Sequence, residues 1–492
     1  MDGAKRILWM AGVLAALLCG CRADYTRSDQ EHLRTLYYSN RLADAAAFSM
    51  KMSDAEDGET SRNALLWHLE AGSVNLDAGN FDEALTALER AEKLLWLFDR
   101  QGHIRCHEPG ALTYRGYRSD RMILGMLKFF AYFSKGELED ALVEVRRVRS
   151  GQYLLRESDP RLREYDRENY GKKVPPYRIG QLMRDNLDRG TFEAAGMQKE
   201  FGEYRDRLRP QLAALFNPLA FYLSAVGYYW DNEFDEAALD LKYLHQLQPG
   251  NELFNRDYAT VLRLLDEKLP PELEKTKPWN YSLTDDLAVV ILAQGVPPGW
   301  KDRRATVRLP DYVPGHWKFS EPEFVSSAGL RLSAAAGGET FRGSELADLN
   351  AVFRDEFWQL TMPSLVRSAS AAIKAMTAEN NRAKVALAAL LASKDFEGKA
   401  LAVAAAQARV ASTSSVSIDE TDWRRWVTVA QQYQVLHLPI PQDRKVTVEV
   451  ADAKGKTLFR RQLEFDRDTT RAVVYVREIG GKFHLKQWST ME

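Results

Sequence analysis

A short pattern that recurs four times constrains the fold of this chain more than any other feature. A turn residue, glycine or asparagine, is followed two positions later by a large apolar residue and three positions after that by alanine. This spacing predicts a tight turn followed by a helix, in which the alanine lies on the buried face and lets a neighbouring helix approach closely. The four copies are Asn40, Leu42 and Ala45; Gly79, Phe81 and Ala84; Gly136, Leu138 and Ala141; and Asn232, Phe234 and Ala237.

Helix pairs joined by such turns are the unit of tetratricopeptide (TPR) repeats, whose period is about 34 residues. The intervals between the four alanines are 39, 57 and 96 residues, so the array is interrupted. We therefore predict a TPR-like α-helical solenoid over residues 31–275, with insertions near 101–120 and 151–210. A generic helical bundle with similar turns is the alternative.

Beyond residue 275 the apolar pattern changes from a helical period to the alternation of strands. The alanine-rich segment 344–411 interrupts the candidate strands and favours helix, with Ser344 as its N-cap. We expect 276–492 to form a small, antiparallel β-sandwich-like domain with this segment as a helical insertion that packs on the sheet, or else contacts membrane. The fold class is then α+β. The candidate strands are 287–293, 305–309, 316–319, 330–334, 435–438, 446–450, 458–465 and 472–476.

The first 20 residues have the pattern of a bacterial lipoprotein signal peptide. Lys5 and Arg6 precede an apolar run of 12 residues, too short to span a membrane, which ends at a Leu-Cys-Gly-Cys that resembles a lipobox. In lipoproteins with this motif Cys21 becomes the acylated N-terminus, and two or more acyl chains anchor a protein stably. Since Arg22 stands where an Asp would favour the inner membrane, we expect a lipid anchor in the outer membrane, a periplasm-facing protein and a tether over 21–30. An ordinary signal peptide or an uncleaved anchor is the alternative.

Charge and cysteine content exclude several other classes. A formal net charge of −2 over 492 residues gives no electrostatic basis for binding nucleic acid. After processing only Cys106 would remain, so no intramolecular disulfide is possible. His103, Cys106 and His107 could ligate zinc or copper, but no fourth ligand is evident, and we expect a surface loop there, with no metal and no cofactor.

Arginines in the third repeat are candidate partner-binding residues. Arg146 and Arg147 lie on its second helix, where they could capture an acidic group in the concave groove, and Tyr228 precedes the last turn. The alternative is that the arginines pair with carboxylates within the array and that Tyr228 packs in the core.

A polar and aromatic cluster lies just before the last group of strands. Asp422, Arg424 and Trp426 alternate there, a pattern that favours a buried Asp–Arg pair beside Trp at the junction of the two domains. A ligand-binding role is the alternative.

Several further stretches are distinctive: residues 114–148, 217–223, 289–295 and 422–426. Together with the lipobox they resemble a family of TPR-containing lipoproteins of Gram-negative bacteria, over most of the mature chain. This chain has Ala293 and Gln294 where relatives usually carry Glu and Asn. The family has no established catalytic residues, and its members are often encoded near a lipoprotein that activates a peptidoglycan synthase. The resemblance therefore implies a role in the envelope only by association.

The sequence favours a binding protein over an enzyme. It contains no G-x-S-x-G, H-E-x-x-H or Walker motif, and no G-x-G-x-x-G after a strand. We expect a lipid-anchored scaffold or adaptor whose TPR groove binds an envelope protein, the identity of which the sequence does not indicate. The alternative is a peptidoglycan-acting enzyme with its site at the domain junction, which a deep cleft with paired carboxylates or a perturbed His437 would favour.

Overall fold

The computed structural model describes residues 27–56, 61–100, 113–158, 218–307, 315–325, 329–356, 378, 415–417 and 424–491. In this part of the chain the protein is mixed α+β, as predicted, and one short helix interrupts the strands. The helices are α1 (27–38), α2 (Leu42–Ala55), α3 (Ala64–Ala78), α4 (Phe81–Arg100), α5 (Arg118–Ser134), α6 (Leu138–Ser158), α7 (Pro218–Trp230), α8 (Phe234–Leu247), α9 (Glu252–Leu264) and α10 (Leu349–Glu356).

The recurring turn pattern marks four helix–turn–helix units: α1–α2, α3–α4, α5–α6 and α7–α8. Its turn residues all have positive φ, at 63° for Asn40, 91° for Gly79, 78° for Gly136 and 58° for Asn232. Glycine and asparagine tolerate this left-handed conformation best, which ends one helix and redirects the chain into the next. The alanine five residues after each turn residue is fully buried, because it faces the partner helix.

Two helices extend further than the predicted insertions allow. Helix α5 begins at Arg118 and α6 continues to Ser158, so the ends of the proposed insertions 101–120 and 151–210 are helical. Residues 101–112 and 159–217 lie outside the described residues.

The strands form three sheets. One sheet has the order β12-β11-β1-β8-β6, the second β10-β9-β4-β5 and the third β2-β3-β7. The strands are β1 (Leu287–Gln294), β2 (Gly299–Val307), β3 (Gly315–Glu323), β4 (Arg331–Ala336), β5 (Glu339–Arg342), β6 (Ser344–Asp348), β7 (Ser415–Ser417), β8 (Gln432–Pro439), β9 (Lys445–Ala451), β10 (Thr457–Glu464), β11 (Thr469–Ile479) and β12 (Lys482–Met491).

The expectation of a purely antiparallel domain is wrong for two pairs of strands, β1 with β11 and β3 with β7. Strand β1 pairs in parallel with β11, with Leu287 opposite Arg471, and antiparallel with β8. Parallel pairing needs a long connection, which the chain between β1 and β11 supplies. Every residue of β1 is buried, which explains its unbroken apolar sequence.

The predicted helix with Ser344 as its N-cap is wrong at its start. Residues Ser344–Asp348 form β6, which pairs with β8 and buries Leu346 completely. The main-chain hydrogen bonds of this pairing outweigh the weak local preference for helix. Helix α10 begins at Leu349, with Asp348 capping it by accepting from the amide of Asn350 at 2.9 Å. The rest of the proposed insertion 344–411 lies outside the described residues, apart from 378.

The five-stranded sheet lies between the helices and the four-stranded sheet. Val289, Ile291 and Tyr475 on one of its faces share an apolar core with the helices, and residues such as Val290 on the other face share a core with the four-stranded sheet. In helix α5, Phe130 packs against Tyr475 at a ring separation of 4.9 Å. The first helices of the last three units, α3, α5 and α7, are therefore inner helices that are almost completely buried, and α4, α6 and α8 are outer helices.

Candidate functional site

A short extended segment crosses between the inner helices and the sheet, and two residues of the predicted junction cluster lie in it. We call residues 424–428 the strap; it leads into β8. Arg424 and Trp426 are almost completely buried there. Asp422, the third member of the predicted cluster, lies outside the described residues, so its pairing with Arg424 stays a prediction.

Helix α3 holds the strap through polar side chains at its start and on its inner face. Arg424 Nη1 donates to Asn63 Oδ1 at 3.1 Å, and Trp426 Nε1 donates to Ser73 Oγ at 2.9 Å. Between them Glu70 faces the middle of the strap. Because these three positions recur at helical spacing, one face of α3 presents a row of polar groups inside an otherwise apolar core.

Helix α1 binds the main chain of the strap from the other side. Gln30 Nε2 donates to the carbonyl oxygen of Arg425 at 2.6 Å, and the Tyr38 hydroxyl donates to the carbonyl oxygen of Val427 at 3.0 Å. Helical grooves hold peptides in a similar way, with helix side chains bound to the main chain of an extended segment. At α1 and α3 this surface is occupied by the chain itself.

Glu70 is the centre of the strap site. The Val427 amide donates to Glu70 Oε1 at 2.7 Å, and the Thr428 hydroxyl donates to Glu70 Oε2 at 2.6 Å. Burial raises the pKa of Glu70 to about 8, although the two hydrogen bonds act in the opposite direction. Thr428 Oγ1 also lies 2.5 Å from Ser73 Oγ, so hydroxyl groups connect Glu70 to Trp426.

Arg477 of β11 is a buried charge beside the strap. Its Nε lies 3.6 Å from Asp77 Oδ2 and donates to the Tyr37 hydroxyl at 3.2 Å, and its Nη2 donates to the carbonyl oxygen of Thr428 at 3.4 Å. Burial raises the pKa of Tyr37, so its hydroxyl stays protonated and donates to Asp77. This cluster fixes β11 to α1 and α3.

A second polar cluster, around His437, lies between α9, β8 and the linker that joins the helices to β1. Asp257 is fully buried and accepts from His437 Nε2 at 2.8 Å, Trp279 Nε1 at 2.6 Å and the Tyr222 hydroxyl at 3.2 Å. The Tyr281 hydroxyl lies 3.0 Å from His437 Nδ1, so both ring nitrogens have a hydrogen-bond partner. Burial raises the pKa of Tyr281, so its hydroxyl is a donor and not a nucleophile. The cluster pins the linker to the sheet.

The predicted partner-binding residues lie among carboxylates of the helices. Arg146 pairs with Asp231 and its guanidinium lies 4.9 Å from the centre of the Tyr228 ring. Arg147 Nη1 lies 3.1 Å from Glu144 Oε1. These contacts match the alternative in which the arginines pair within the array, and a role in binding a partner stays a prediction.

The outer helices present a repeated position to solvent. In the last three units, the residue two positions after the buried alanine is Thr86 on α4, Val143 on α6 and Leu239 on α8. All three are exposed, and the exposed fraction is 39% for Val143 and 51% for Leu239. The last two units thus carry a large apolar side chain on the outside at the same position, and the unit before them carries a threonine.

Other predicted features lie outside the described residues, among them Cys21, His103, Cys106 and His107. Within the part of the chain that the structure describes, no three or more His, Cys, Asp or Glu side chains are grouped so that they could hold a metal ion. No helix among those residues is long and apolar enough to cross a membrane.

Sequence reasoning did not identify Glu70 or Asp257 as members of these clusters. Glu70 does have a signal, because it is the one acidic residue between Ala64 and Leu76, in a stretch whose other residues are mostly apolar. A charge in such a stretch is expected to be buried and hydrogen-bonded. Asp257 lies in an amphipathic helix and has no comparable signal.

Comparisons with protein-family models, with curated proteins and with solved structures found no match to this chain.

Proposed function

We propose that the protein is a lipid-anchored scaffold of the bacterial cell envelope, and that it binds a protein partner through the outer surface of its helical repeats. The observation that carries this proposal is the exposure of Val143 and Leu239 at equivalent positions of α6 and α8. Stacked repeats form extended binding surfaces from side chains that recur at one position. Apolar side chains kept outside in successive units fit such a surface.

The partner surface differs from the groove that the sequence suggested. Inner helices usually line the concave groove of a repeat array, but here α3 and α7 are buried on all sides. The strap and the five-stranded sheet cover them. Phe81, at the start of α4, packs against Trp488 of β12 at a ring separation of 5.9 Å. The outer helices are therefore the repeat surface that a partner can reach.

The finer description of the fold belongs to the same proposal. We assign the helices to a TPR-like solenoid, supported by the four positive-φ turns and the buried alanines. We assign the strands to a β-sandwich-like domain, supported by the apolar core shared by the five- and four-stranded sheets.

The proposed lipid anchor limits the distance between the helices and the membrane. Cys21 is six residues from residue 27, where the described helix α1 begins. Six extended residues span about 20 Å, so acylation of Cys21 would hold α1 close to the membrane.

The peptidoglycan-acting enzyme remains the alternative. Its candidate, His437, has both ring nitrogens in hydrogen bonds, to Asp257 and to Tyr281. Those contacts suit a group that holds a linker better than a general base that must reach a substrate.

The proposal is tested by in-cell crosslinking of the lipidated protein, followed by purification and mass spectrometry of captured proteins. The test variant is Val143→Glu combined with Leu239→Glu, and the matched control is Thr86→Glu at the equivalent position of α4. We expect a discrete envelope protein to be captured by the native chain and by the control and to be lost from the double variant. Both sites are exposed, so stability should change by no more than about 0.5 kcal/mol per substitution.

Two further arms separate the hypotheses. Cys21→Ala should lower capture if anchoring places the protein beside its partner. Capture that is identical in the double variant and the native chain would contradict the outer surface as the binding site. Modification of peptidoglycan fragments by the purified chain lacking residues 1–21, with no partner captured, would favour the enzyme.

A further inference from the structure

Glu70 is a buried acid that has no basic partner. It is fully buried, and its two oxygens accept from the strap at Val427 and Thr428. Among the residues that the structure describes, no Lys, Arg or His forms an ion pair with it. Burying an ionised carboxylate without a countercharge costs free energy, whereas burying the neutral acid with its hydrogen bonds satisfied costs much less.

The hydroxyl groups around Glu70 can serve either protonation state. When Glu70 is ionised, the Thr428 hydroxyl donates to it. When Glu70 is protonated, it can donate to Thr428 Oγ1, and the Thr428 hydroxyl can turn to donate to Ser73 Oγ at 2.5 Å. Ser73 can then donate to the carbonyl oxygen of Leu69 at 3.2 Å while it accepts from Trp426. The hydrogen bonds reverse without leaving a donor unsatisfied.

The charges that face this site do not neutralise Glu70. Asp120, in the first turn of α5, is itself buried and disfavours a second negative charge nearby. Arg477 reaches the strap only at the carbonyl oxygen of Thr428, at 3.4 Å, and also pairs with Asp77. Among the described residues, Tyr38 on α1 and Arg424 and Arg425 on the strap also lie near the site, as does Tyr114, which donates to Asp120.

We propose that Glu70 and the strap form a proton-controlled clasp between the inner helices and the sheet, which proton uptake tightens and proton release loosens. The ordinary pKa of the side chain, 4.5, applies when the clasp is open, and burial raises the pKa to about 8 when it is closed. At pH values between these two pKa values, the closed clasp therefore holds a proton that the open clasp lacks. Its stability is highest below about pH 4.5, falls as pH rises toward 8 and is constant above that.

Hydrogen exchange of the Val427 amide tests the clasp directly, because this amide donates to Glu70 Oε1. After correction for the intrinsic rate, the opening constant at Val427 should rise about tenfold per pH unit between about pH 6 and pH 7.5 in the folded native chain. In Glu70→Gln, a neutral isostere that keeps both hydrogen bonds, the corrected constant should not depend on pH. The Gln431 amide donates to the carbonyl oxygen of Gln294 and serves as the internal control.

A second variant separates the clasp from a purely structural contact. Thr428→Val removes the hydroxyl donor to the carboxylate and keeps the side-chain shape. This change disfavours the ionised form, so the pH at which the opening constant stops rising should move upward. The proposal would be overturned if exchange at Val427 had the same pH dependence in Glu70→Gln as in the native chain. It would also be overturned if Thr428→Val raised exchange at every pH by the same factor, with no shift along the pH axis.

Discussion

The joint between helices and sheet depends on a few buried charged residues, and Arg477 is the clearest case. Its guanidinium is almost completely buried and has one anionic partner among the described residues, Asp77, at 3.6 Å. Asp77→Ala would leave the guanidinium with the Tyr37 hydroxyl and carbonyl oxygens only. We expect the free energy of unfolding to fall by about 3–5 kcal/mol, measured by urea denaturation followed by circular dichroism.

The control for this substitution removes both charges. Asp77→Ala combined with Arg477→Met leaves no unpaired charge and fills the space with an apolar side chain. The double variant should therefore be more stable than Asp77→Ala alone. Equal stability of the two would show that the pair does not carry the effect.

At the scale of secondary structure, the turn between β11 and β12 fits against α1 so closely that it admits only glycine at one position. Gly480 and Gly481 both have positive φ, 56° and 81°. A Cβ on Gly480 would overlap the carbonyl oxygen of Tyr38, whereas a Cβ on Gly481 would meet nothing. Gly481→Ala should cost about 1 kcal/mol, for the strained conformation alone. Gly480→Ala should cost a further 1–3 kcal/mol or so, because α1 and the turn must also move apart.

The two alanine variants form a matched pair, and thermal unfolding of both measures the difference. The same loss in both would contradict the close contact between this turn and α1. His484 Nε2 also lies 2.7 Å from Asn40 Oδ1 beside the turn, so the contact links the first helix pair to the end of the chain.

The sequence predicts the helices better than the sheets, and the difference has a physical reason. The turn and alanine pattern is local, so it locates the starts of α2, α4, α6 and α8 in the sequence, two residues after each turn residue. Strand β6 depends on pairing with β8, about 90 residues further along the chain, and no local pattern records that. Strand β12 has no counterpart among the predicted strands, because its apolar alternation is short and stops after Leu485, where Lys486 and Gln487 follow.

The clusters could be predicted only in part, for the same reason. Arg424 and Trp426 are distinctive in sequence, and the structure places both in the strap. The partners that hold them, Asn63 and Ser73, are more than 350 residues away in the chain and are common residue types. A contact between distant segments becomes visible only when the fold brings the segments together.

At the scale of the whole molecule, the helices, the strap and the five-stranded sheet form one continuous body around a shared core. Inner helices, strap and sheet bury each other, with Phe130 of α5 packed against Tyr475 of β11 and Trp488 of β12. A solenoid that folds independently would need inner helices that tolerate water, but α3 and α7 are buried nearly all round. The sequence-based boundary near 275 thus separates helices from strands that share a core.

This arrangement predicts that the helical part will not fold by itself. A fragment of residues 27–275 would expose the inner faces of α3, α5 and α7, so it should aggregate or bind hydrophobic dyes and lack a cooperative thermal transition. Residues 27–492 should instead lose helix and strand signals in a single transition, and co-expression of 27–275 with 276–492 should restore a soluble complex. A soluble, monomeric 27–275 fragment with its own cooperative transition would show that the repeats are an autonomous solenoid. The sheet would then be an occupant of their groove and not part of their core.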